Sequence, residues 1–246
     1  METLNKRYTT KIVPSLLPSF NPSALLTLNY AGVGDISPGQ LLTKEQSAPT
    51  PAVSVTPANS TVQLNGKYTI TMVDADVVGS DLSKGVNRHW LVNGVDITDG
   101  KVTNASAAAI TAYAGPGPAA GSGPHRYVIV LYRQPDSFKA PSDLSQPVPG
   151  VTRFDLNAYT KDSGLGPIVA ATYITVEDGT ATISIPATSS VVSSTLVVPQ
   201  PTRTGTTSGT ATTGANGPTT TNGARSLGSF SPLGVVLAGI AFMIAA

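Results

Sequence analysis

The sequence of 246 residues contains no cysteine. Disulfide bridges, thiolate nucleophiles and metal sites built on cysteine are therefore excluded. Charged side chains are scarce, because Asp, Glu, Lys and Arg make up 12% of the residues, against about 25% in an ordinary soluble protein. The formal net charge is +1 and the basic residues are scattered, so nothing favours nucleic acid or a strongly acidic partner.

Motifs of hydrolytic enzymes are also missing. The sequence has neither a G-x-S-x-G nucleophile elbow nor an H-E-x-x-H zinc helix. Only two histidines are present, and together with two aspartates they could in principle bind a metal ion, but no further pattern supports such a site. We therefore expect a protein that is not an enzyme and that uses no metal ion and no cofactor.

The C-terminal part of the chain has an unusual composition. Residues 188–226 are rich in Thr, Ser, Gly and Pro, and such a segment buries too little apolar surface to offset its ordering entropy. We interpret it as a disordered, O-glycosylated stalk. Residues 227–246 form a hydrophobic tail whose uncharged run is short for a spanning helix, which needs about 20 apolar residues.

Small residues, a polar spacer and a terminal apolar tail are typical of a GPI-attachment signal. Asn222 is the predicted attachment residue, with Gly223 as the next choice. A tail-anchored helix and an unprocessed apolar end are the alternatives. Because a GPI anchor requires secretion, we expect an extracellular protein that is anchored to the membrane at the cell surface or in the cell wall.

The N-terminal residues 1–11 are expected to be flexible and do not resemble a signal peptide. They contain no apolar run of roughly 7–15 residues, so we expect that an upstream signal peptide is missing from this chain. Two sequons, at Asn59 and Asn104, are compatible with N-glycosylation in the secretory route.

Residues 12–187 carry the pattern of one mostly-β domain. Short apolar runs are separated by Gly, Pro, Asp and Asn, which is typical of strands and turns. The predicted strands are Ala24–Tyr30, Pro51–Val55, Lys67–Val73, His89–Val95, Arg126–Tyr132 and Val169–Val176. The third alternates polar and apolar residues, which predicts a half-buried strand. The fifth is apolar throughout, which predicts a central strand covered on both faces.

Helical pattern is limited to Arg153–Ser163, where Phe154, Leu156 and Tyr159 are the apolar positions. No repeat of fixed period is visible. We therefore predict a single-domain β-sandwich with Greek-key connections and one or two short helices.

Three stretches between the predicted strands hold polar residues in a distinctive order. Thr71–Asp81 (TMVDADVVGSD) places two aspartates after a strand, and Asn87–Val95 (NRHWLVNGV) places a histidine at the start of another. Tyr113–Tyr127 (YAGPGPAAGSGPHRY) is a Gly/Pro loop that ends in His and Tyr. This order resembles the phosphatidylethanolamine-binding protein family, whose signature is D-P-D-A-P, then H-H-[FW]-L-V, then a loop ending in G-x-H-R-Y. The sequence is most similar to secreted, stalked fungal members.

The resemblance spans about residues 12–176 and implies a β-sandwich with a small anion-binding pocket at one end. The ligand it implies is phosphate or a phospholipid headgroup. The ligand-binding residues it implies are Asp74, Asp76, His89, Tyr113, Gly117, Pro118, His125 and Tyr127.

The sequence departs from the family pattern at several positions. Ala75 and Val78 replace the two prolines of the first motif, and Arg88 replaces the first His of the pair. Ala119 replaces the second loop proline. After Val176 no pattern of the C-terminal helix that covers the pocket in mammalian members follows, so the resemblance does not extend to the rim of the implied pocket.

The residue types suit such a pocket on chemical grounds. Gly backbone N–H groups, two imidazole rings and the Tyr127 hydroxyl could converge on a phosphate, and each charge-assisted hydrogen bond contributes about 1.5–3 kcal/mol. Glycine would allow close approach where a Cβ would block it. The aspartates would repel a phosphate, so we expect them to keep the histidines protonated or to accept from an amine-bearing headgroup.

Simpler interpretations remain open for each motif. The D-x-D pair is most often an Asx-type turn, and the aromatic residues Trp90, Tyr113 and Tyr127 could simply pack the core. Three functions follow: a binding protein for phosphate or phospholipid headgroups, an inhibitor of a serine carboxypeptidase, or a structural cell-wall glycoprotein. The expected partners are accordingly a headgroup, a membrane reached through the C-terminal anchor or tail and, under the inhibitor hypothesis, a serine carboxypeptidase, but no nucleic acid.

Overall fold

Eleven strands and a few short helices make up residues 11–104 and 107–182, the part of the chain that the computed structural model describes. The strands are β1 (Ala24–Tyr30), β2 (Gly34–Asp35), β3 (Leu41–Leu42), β4 (Ala52–Pro57), β5 (Lys67–Asp74), β6 (Val86–Thr98), β7 (Lys101–Thr103), β8 (Ala109–Thr111), β9 (His125–Gln134), β10 (Thr152–Phe154) and β11 (Ile168–Val176). The helices are α1 (Ile12–Ser15), α2 (Lys44–Ser47) and α3 (Leu156–Asp162), with a 3-10 turn at Ser142–Leu144.

The long strand β6 connects the two sheets of the sandwich. It pairs with β5 as far as Val95 and with β7 from Asp96 onward. Gly94 lies at this transition with a φ of +74°, a conformation that glycine adopts without steric cost. The strand order along the hydrogen-bonded path is β2-β1-β4-β7-β6-β5-β9-β11-β3, with β8 and β10 also paired to β6.

Two hydrophobic clusters cover opposite faces of the larger sheet. The first lies between the sheets, where β1 and β4 meet β5 and β9. In the second, α1 and α3 pack against the outer face. Strand β9 alternates between them, because Tyr127 and Ile129 belong to the first cluster while Val128 and Val130 belong to the second. The prediction of a central strand covered on both faces is confirmed.

Strand β5 is more buried than its alternating sequence predicted. Thr69 and Thr71, expected on a solvent face, are 0% and 1% exposed. Their hydroxyls find partners, since Thr71 donates to the Trp90 carbonyl at 2.9 Å and Thr69 bonds to Asn93 at 3.0 Å. A small hydroxyl that is hydrogen-bonded can be buried at little cost, so polar alternation does not prove exposure.

The predicted fold class and all six predicted strands are confirmed, with shifts of a few residues at their ends. The helix predicted to begin at Arg153 begins instead at Leu156. Thr152–Phe154 pair with β6 as β10, and the Asp155 side chain, which follows them, caps the helix by accepting from the Ala158 N–H at 2.9 Å. Helix α2, which was not predicted, carries a capping box between Thr43 and Gln46.

Several sequence predictions fall outside the described residues. These are most of the flexible N-terminus, the stalk, the hydrophobic tail and the attachment residue Asn222. Within residues 11–104 and 107–182, no helix combines the length and the apolar character needed to cross a membrane. Asn59 and Asn104 are both exposed, and their glycosylation remains a prediction.

Candidate functional site

The polar residues of the three sequence stretches converge at one end of the larger sheet. Asp74 is the last residue of β5, and it pairs with Tyr127 on β9 and with Asn87 on β6. His125 is the first residue of β9, on the same face as Tyr127 because side chains alternate along a strand. Antiparallel pairing thus places the end of β5 beside the start of β9.

A β-bulge in β6 directs His89 toward this group. Trp90 pairs with Met72 and Arg88 pairs with Val73, which leaves His89 as the extra residue. A bulge re-aims a side chain relative to a regular strand. The His89 ring accordingly meets Tyr127 edge-on, with 5.2 Å between ring centroids.

The central polar contact joins Asp74 and His125. The Nδ1 atom of His125 lies 2.9 and 3.2 Å from the two carboxylate oxygens of Asp74. Nε2 lies 3.0 Å from the Ser122 hydroxyl and 3.6 Å from Oδ1 of Asp76. Since the Ser122 hydroxyl donates to the Ala119 carbonyl at 2.6 Å, it accepts from Nε2–H. Both ring nitrogens therefore face acceptors, as a protonated imidazole requires.

The charges around His125 favour its protonated form. Burial acts to lower the pKa of His125, but the hydrogen bond to Asp74 and the negative charges of Asp74 and Asp76 outweigh it. The pKa of His125 therefore lies above its ordinary value. This part of the site can hold a positive charge at a pH where a free histidine has largely lost its proton.

His89 differs from His125 in its protonation. Its Nδ1 lies 3.0 Å from the Ala114 carbonyl, which can only accept, so Nδ1 carries the proton. Burial lowers the pKa of His89, more than the hydrogen bond to Ala114 and the charge of Asp74 raise it. The expectation that the aspartates would keep both histidines protonated is thus wrong for His89. Its neutral ring leaves Nε2 as an acceptor.

The Tyr127 hydroxyl is an unusual buried polar atom. The residue is 0% exposed, and among the described residues this hydroxyl is the one fully buried side-chain N or O atom without a hydrogen bond. Burial raises the pKa of Tyr127, and the nearby Asp74 charge raises it further. The Gly117 N–H and the Asp74 carboxylate lie near the hydroxyl, but neither meets hydrogen-bond geometry. A buried hydroxyl left unpaired calls for a functional explanation.

The Gly/Pro loop borders the site, and part of its backbone is exposed to solvent. Gly117 is exposed, while Pro118 next to it is buried. An added Cβ at Gly117 would meet no protein atom within 4 Å. Protein packing therefore does not demand glycine there, and its absent side chain leaves space in front of the backbone N–H. At Gly115, by contrast, a Cβ would lie 2.8 Å from Ala48, so packing alone requires that glycine.

The turn after β5 is an Asx-type turn, and the simpler interpretation of the D-x-D pair also applies. The Asp74 carboxylate accepts from the Asp76 N–H at 2.7 Å, and the Asp76 carboxylate accepts from the Val77 N–H at 2.6 Å. Asp76 has a φ of +54°, which is uncommon for a residue with a side chain. Asp74 thus shapes the turn with one oxygen while it also contacts His125.

Arg126 holds this turn in place, and sequence reasoning missed it. Its guanidinium donates to the backbone carbonyls of Ala75, Asp76 and Val77, at 2.9 Å for the last two. It is 2% exposed. The signal was available, since an arginine between His125 and Tyr127 on a central strand must point into the opposite, buried face.

Tyr113 is set apart from the other predicted residues. Its hydroxyl donates to the Ser47 carbonyl at 2.7 Å and lies 3.0 Å from the Tyr30 hydroxyl. Its ring packs edge-on against Trp90 at 5.5 Å. These contacts are those of a core residue, and the structure does not bring the Tyr113 hydroxyl into hydrogen-bond contact with Asp74 or His125.

Comparison with known proteins agrees with the order of motifs and with the fold. The family model described as phosphatidylethanolamine-binding protein matches residues 18–174. The chain belongs to the phosphatidylethanolamine-binding protein family. A CEN-like protein 1 of Nicotiana tabacum is 31% identical over 174 residues, which cover 70% of this chain and 91% of the relative.

Two further comparisons, one of sequence and one of structure, involve a carboxypeptidase Y inhibitor. A carboxypeptidase Y inhibitor of Saccharomyces cerevisiae is 29% identical over 144 residues, or 48% of this chain and 65% of the relative. The solved structure of carboxypeptidase Y inhibitor in complex with its proteinase has a TM-score of 0.60 at 21% identity, covering 72% of this chain and 95% of that one. At that identity the structural match establishes the fold alone.

Proposed function

We propose that this family member binds the phosphate group of a small phosphorylated molecule or of a phospholipid headgroup at the site around His125. The observation that carries the proposal is the unpartnered, fully buried Tyr127 hydroxyl beside a histidine whose pKa is raised. A phosphate oxygen would give the Tyr127 hydroxyl the acceptor that it lacks, beside the histidine that Asp74 keeps charged.

The charge balance favours a headgroup that also carries an amine. Asp74 is committed to His125, so their charges largely cancel. Asp76 has 51% of its side chain exposed and adds a further negative charge at the edge of the site. A bare phosphate dianion would be repelled by this carboxylate, whereas the ammonium of phosphorylethanolamine could contact it. We therefore expect phosphorylethanolamine to bind more tightly than inorganic phosphate.

Binding should depend on pH through His125. Because the pKa of His125 is raised, its positive charge is present below that pKa and is lost as the pH rises through it. Anion affinity should accordingly strengthen as the pH falls from 8 to 6. Burial lowers the pKa of His89 and so favours its neutral form, whose Nε2 would accept from a protonated phosphate oxygen.

We propose the cell surface as the location of this binding activity. The support comes from the sequence: the Thr- and Ser-rich segment 188–226, the apolar end of the chain and the candidate attachment residue Asn222. The exposed Asn59 of one sequon adds to it. Glycosidase treatment and phospholipase release from intact cells would test the sugar and the anchor separately.

Inhibition of a serine carboxypeptidase is the second candidate function. It is favoured by the 29% identity to the carboxypeptidase Y inhibitor of Saccharomyces cerevisiae. The discriminating assay is peptide hydrolysis by carboxypeptidase Y with and without excess chain. Inhibition that persists in a His125→Gln variant would separate this activity from headgroup binding.

Isothermal titration calorimetry tests the proposed headgroup site. The chain would be titrated with phosphorylethanolamine, inorganic phosphate and ethanolamine at pH 6 and pH 8. We expect the order of affinity phosphorylethanolamine, phosphate, ethanolamine, with tighter binding at pH 6 and at least a 10-fold loss in His125→Gln. Binding that is equal for all three compounds, or that is unchanged in the variant, would rule out the proposed site.

A further inference from the structure

A cavity lies on the outer face of the larger sheet, opposite to the face that carries His125. Its volume is about 380 Å³, within the range of about 300–1,000 Å³ typical of small-molecule sites. It is bounded by β10, α3 and the 3-10 turn. Leu144, Phe154 and Tyr159 line it and belong to the outer hydrophobic cluster, whereas Tyr127 belongs to the cluster between the sheets.

Arg88 lies in the wall of this cavity, and it is 2% exposed. Its Nε donates to the Thr111 hydroxyl at 2.7 Å, and Nη2 donates to the Thr152 hydroxyl at 3.0 Å. The guanidinium also lies 5.2 Å from the centre of the Phe154 ring. Among the described residues, no carboxylate lies within 4 Å of it.

The guanidinium keeps unused donors. It carries five N–H groups, and its two hydrogen bonds leave three of them free. Nη1 has no partner, yet it is not among the fully buried unpaired atoms of the described residues, which comprise the Tyr127 hydroxyl alone. Nη1 therefore retains accessible surface, and the cavity that Arg88 lines is the space it can reach.

A buried cation without a carboxylate in direct contact is costly. Burial lowers the pKa of Arg88, although electrostatic interactions with Tyr159 and Asp143 partly offset this effect. Hydroxyl partners and an aromatic ring compensate only part of the lost hydration. A carboxylate entering the cavity would supply the missing negative charge through a two-pronged hydrogen bond to the guanidinium.

The rim of the cavity carries the opposite charge to its buried wall. Asp143, Asp155 and Asp162 line it and are exposed, and Arg153 is the second arginine of the lining. Three aspartates and two arginines give the lining a formal charge of −1. A phosphate dianion is therefore disfavoured. A molecule with one carboxylate and one ammonium group fits better, because the carboxylate can bind the buried arginine and the ammonium group can bind the aspartates of the rim.

We propose that this cavity binds a free α-amino acid with an apolar side chain. Its carboxylate would meet the free N–H groups of Arg88, and its ammonium group would face the rim aspartates. The side chain would contact the rings of Phe154 and Tyr159. This site is independent of the proposed headgroup site, since the two lie on opposite faces of one sheet and share no residue.

The first test is calorimetric titration of the chain with L-phenylalanine. Two truncated probes serve as controls: 3-phenylpropionate lacks the ammonium group, and phenethylamine lacks the carboxylate. We expect L-phenylalanine to bind with a Kd of about 1 mM or tighter, corresponding to roughly −4 kcal/mol, and each truncated probe to bind at least 10-fold more weakly. Absence of L-phenylalanine binding, or equal binding of the three probes, overturns the proposal.

Variants then locate the binding. Ala158 is exposed on α3 and lines the cavity, so Ala158→Phe should fill its mouth and weaken L-phenylalanine binding at least 10-fold. Lys161→Phe on the same helix, outside the lining, is the matched control and should leave the affinity unchanged. Arg88→Lys keeps the charge but loses the planar fork, and it should also weaken binding about 10-fold.

If Arg88→Lys does not fold, Ala158→Phe still tests the proposal, because it leaves the buried arginine intact. Unchanged affinity in Ala158→Phe overturns the proposal whatever the arginine variant does. Phosphorylethanolamine titration of Ala158→Phe should give the wild-type affinity, so failure of one site is distinguishable from failure of the other.

Discussion

Replacing Tyr127 by phenylalanine removes one atom that has no hydrogen-bond partner in the protein. A buried, unsatisfied polar group costs about 1–3 kcal/mol, so its removal should leave the free energy of unfolding unchanged or raise it by up to about 2 kcal/mol. The ring keeps its edge-on contact with His89 and its stacking on His125. Urea denaturation at pH 7 measures this change.

The same substitution should weaken ligand binding. A hydrogen bond to a charged phosphate oxygen contributes about 1.5–3 kcal/mol, which corresponds to a loss of roughly 10- to 100-fold in affinity for phosphorylethanolamine. The variant would thus be at least as stable as the wild type and a poorer binder. That combination marks a residue kept for ligand binding at a cost in stability.

Tyr68→Phe is the matched control for this experiment. The Tyr68 hydroxyl donates to the Asn65 carbonyl at 3.1 Å and accepts from Arg133 at 3.0 Å. Its removal should lower the free energy of unfolding by about 1 kcal/mol and leave ligand affinity unchanged. If Tyr127→Phe destabilises the protein as much as Tyr68→Phe does, or if it binds phosphorylethanolamine normally, the assignment of an unpaired hydroxyl to the ligand is refuted.

Three further predictions follow from neighbouring contacts. The contact between Asp74 and His125 raises the histidine pKa, so its stabilisation is complete below about pH 6.5 and is lost as the pH rises through the raised pKa. Asp74→Asn should remove this pH dependence and lower the His125 pKa, as measured by NMR titration, and an unchanged pKa would argue against the pairing. Arg126→Met removes the guanidinium hydrogen bonds to three carbonyls of the β5 turn, of which those of Asp76 and Val77 keep a backbone N–H partner, and it should cost about 2 kcal/mol of unfolding free energy. A loss below half of that would mean that the turn is stable without the arginine. Gly117→Ala should retain wild-type stability but weaken phosphorylethanolamine binding. Gly85→Ala is the control, because its Cβ would lie 2.7 Å from a backbone oxygen at a φ of +84°, and it should destabilise the protein without contacting the site. Equal changes in melting temperature for the two variants would contradict this distinction.

The strands were predictable because their apolar runs match the layers of the sandwich. Strand β9 shows this best, since it feeds both clusters and is apolar at every position from Val128 to Leu131. Strand β5 shows where such prediction fails, because Thr69 is a polar residue that is nevertheless buried, with its hydroxyl hydrogen-bonded to Asn93. Hydrogen-bond partners that are distant in sequence decide such cases, and no local pattern reveals them.

The residues that form the site were partly predictable from the order of the three motifs along the sequence. The contact between Asp74 and His125 joins residues 51 positions apart, and only the pairing of β5 with β9 brings them together. The protonation difference between the two histidines was beyond sequence reasoning. It depends on the bulge that turns His89 inward against the Ala114 carbonyl while His125 stays beside two carboxylates.

The bulge in β6 also explains how adjacent residues serve two regions. His89 lies on the face of Tyr127, and Arg88 lies on the opposite face over the Phe154 ring. The presence of Arg88 in place of the first His of the family motif therefore affects the outer face of the sheet and not the residues around His125. Sequence comparison alone would have counted it as a defect of the pocket.

The most direct test of the central claim is an NMR titration of the isotope-labelled chain with phosphorylethanolamine at pH 6. The account predicts that chemical-shift changes concentrate at Asp74, His89, Gly117, His125 and Tyr127. Shifts spread over the surface, or no shifts at millimolar ligand, would contradict a phosphate-binding role for the site.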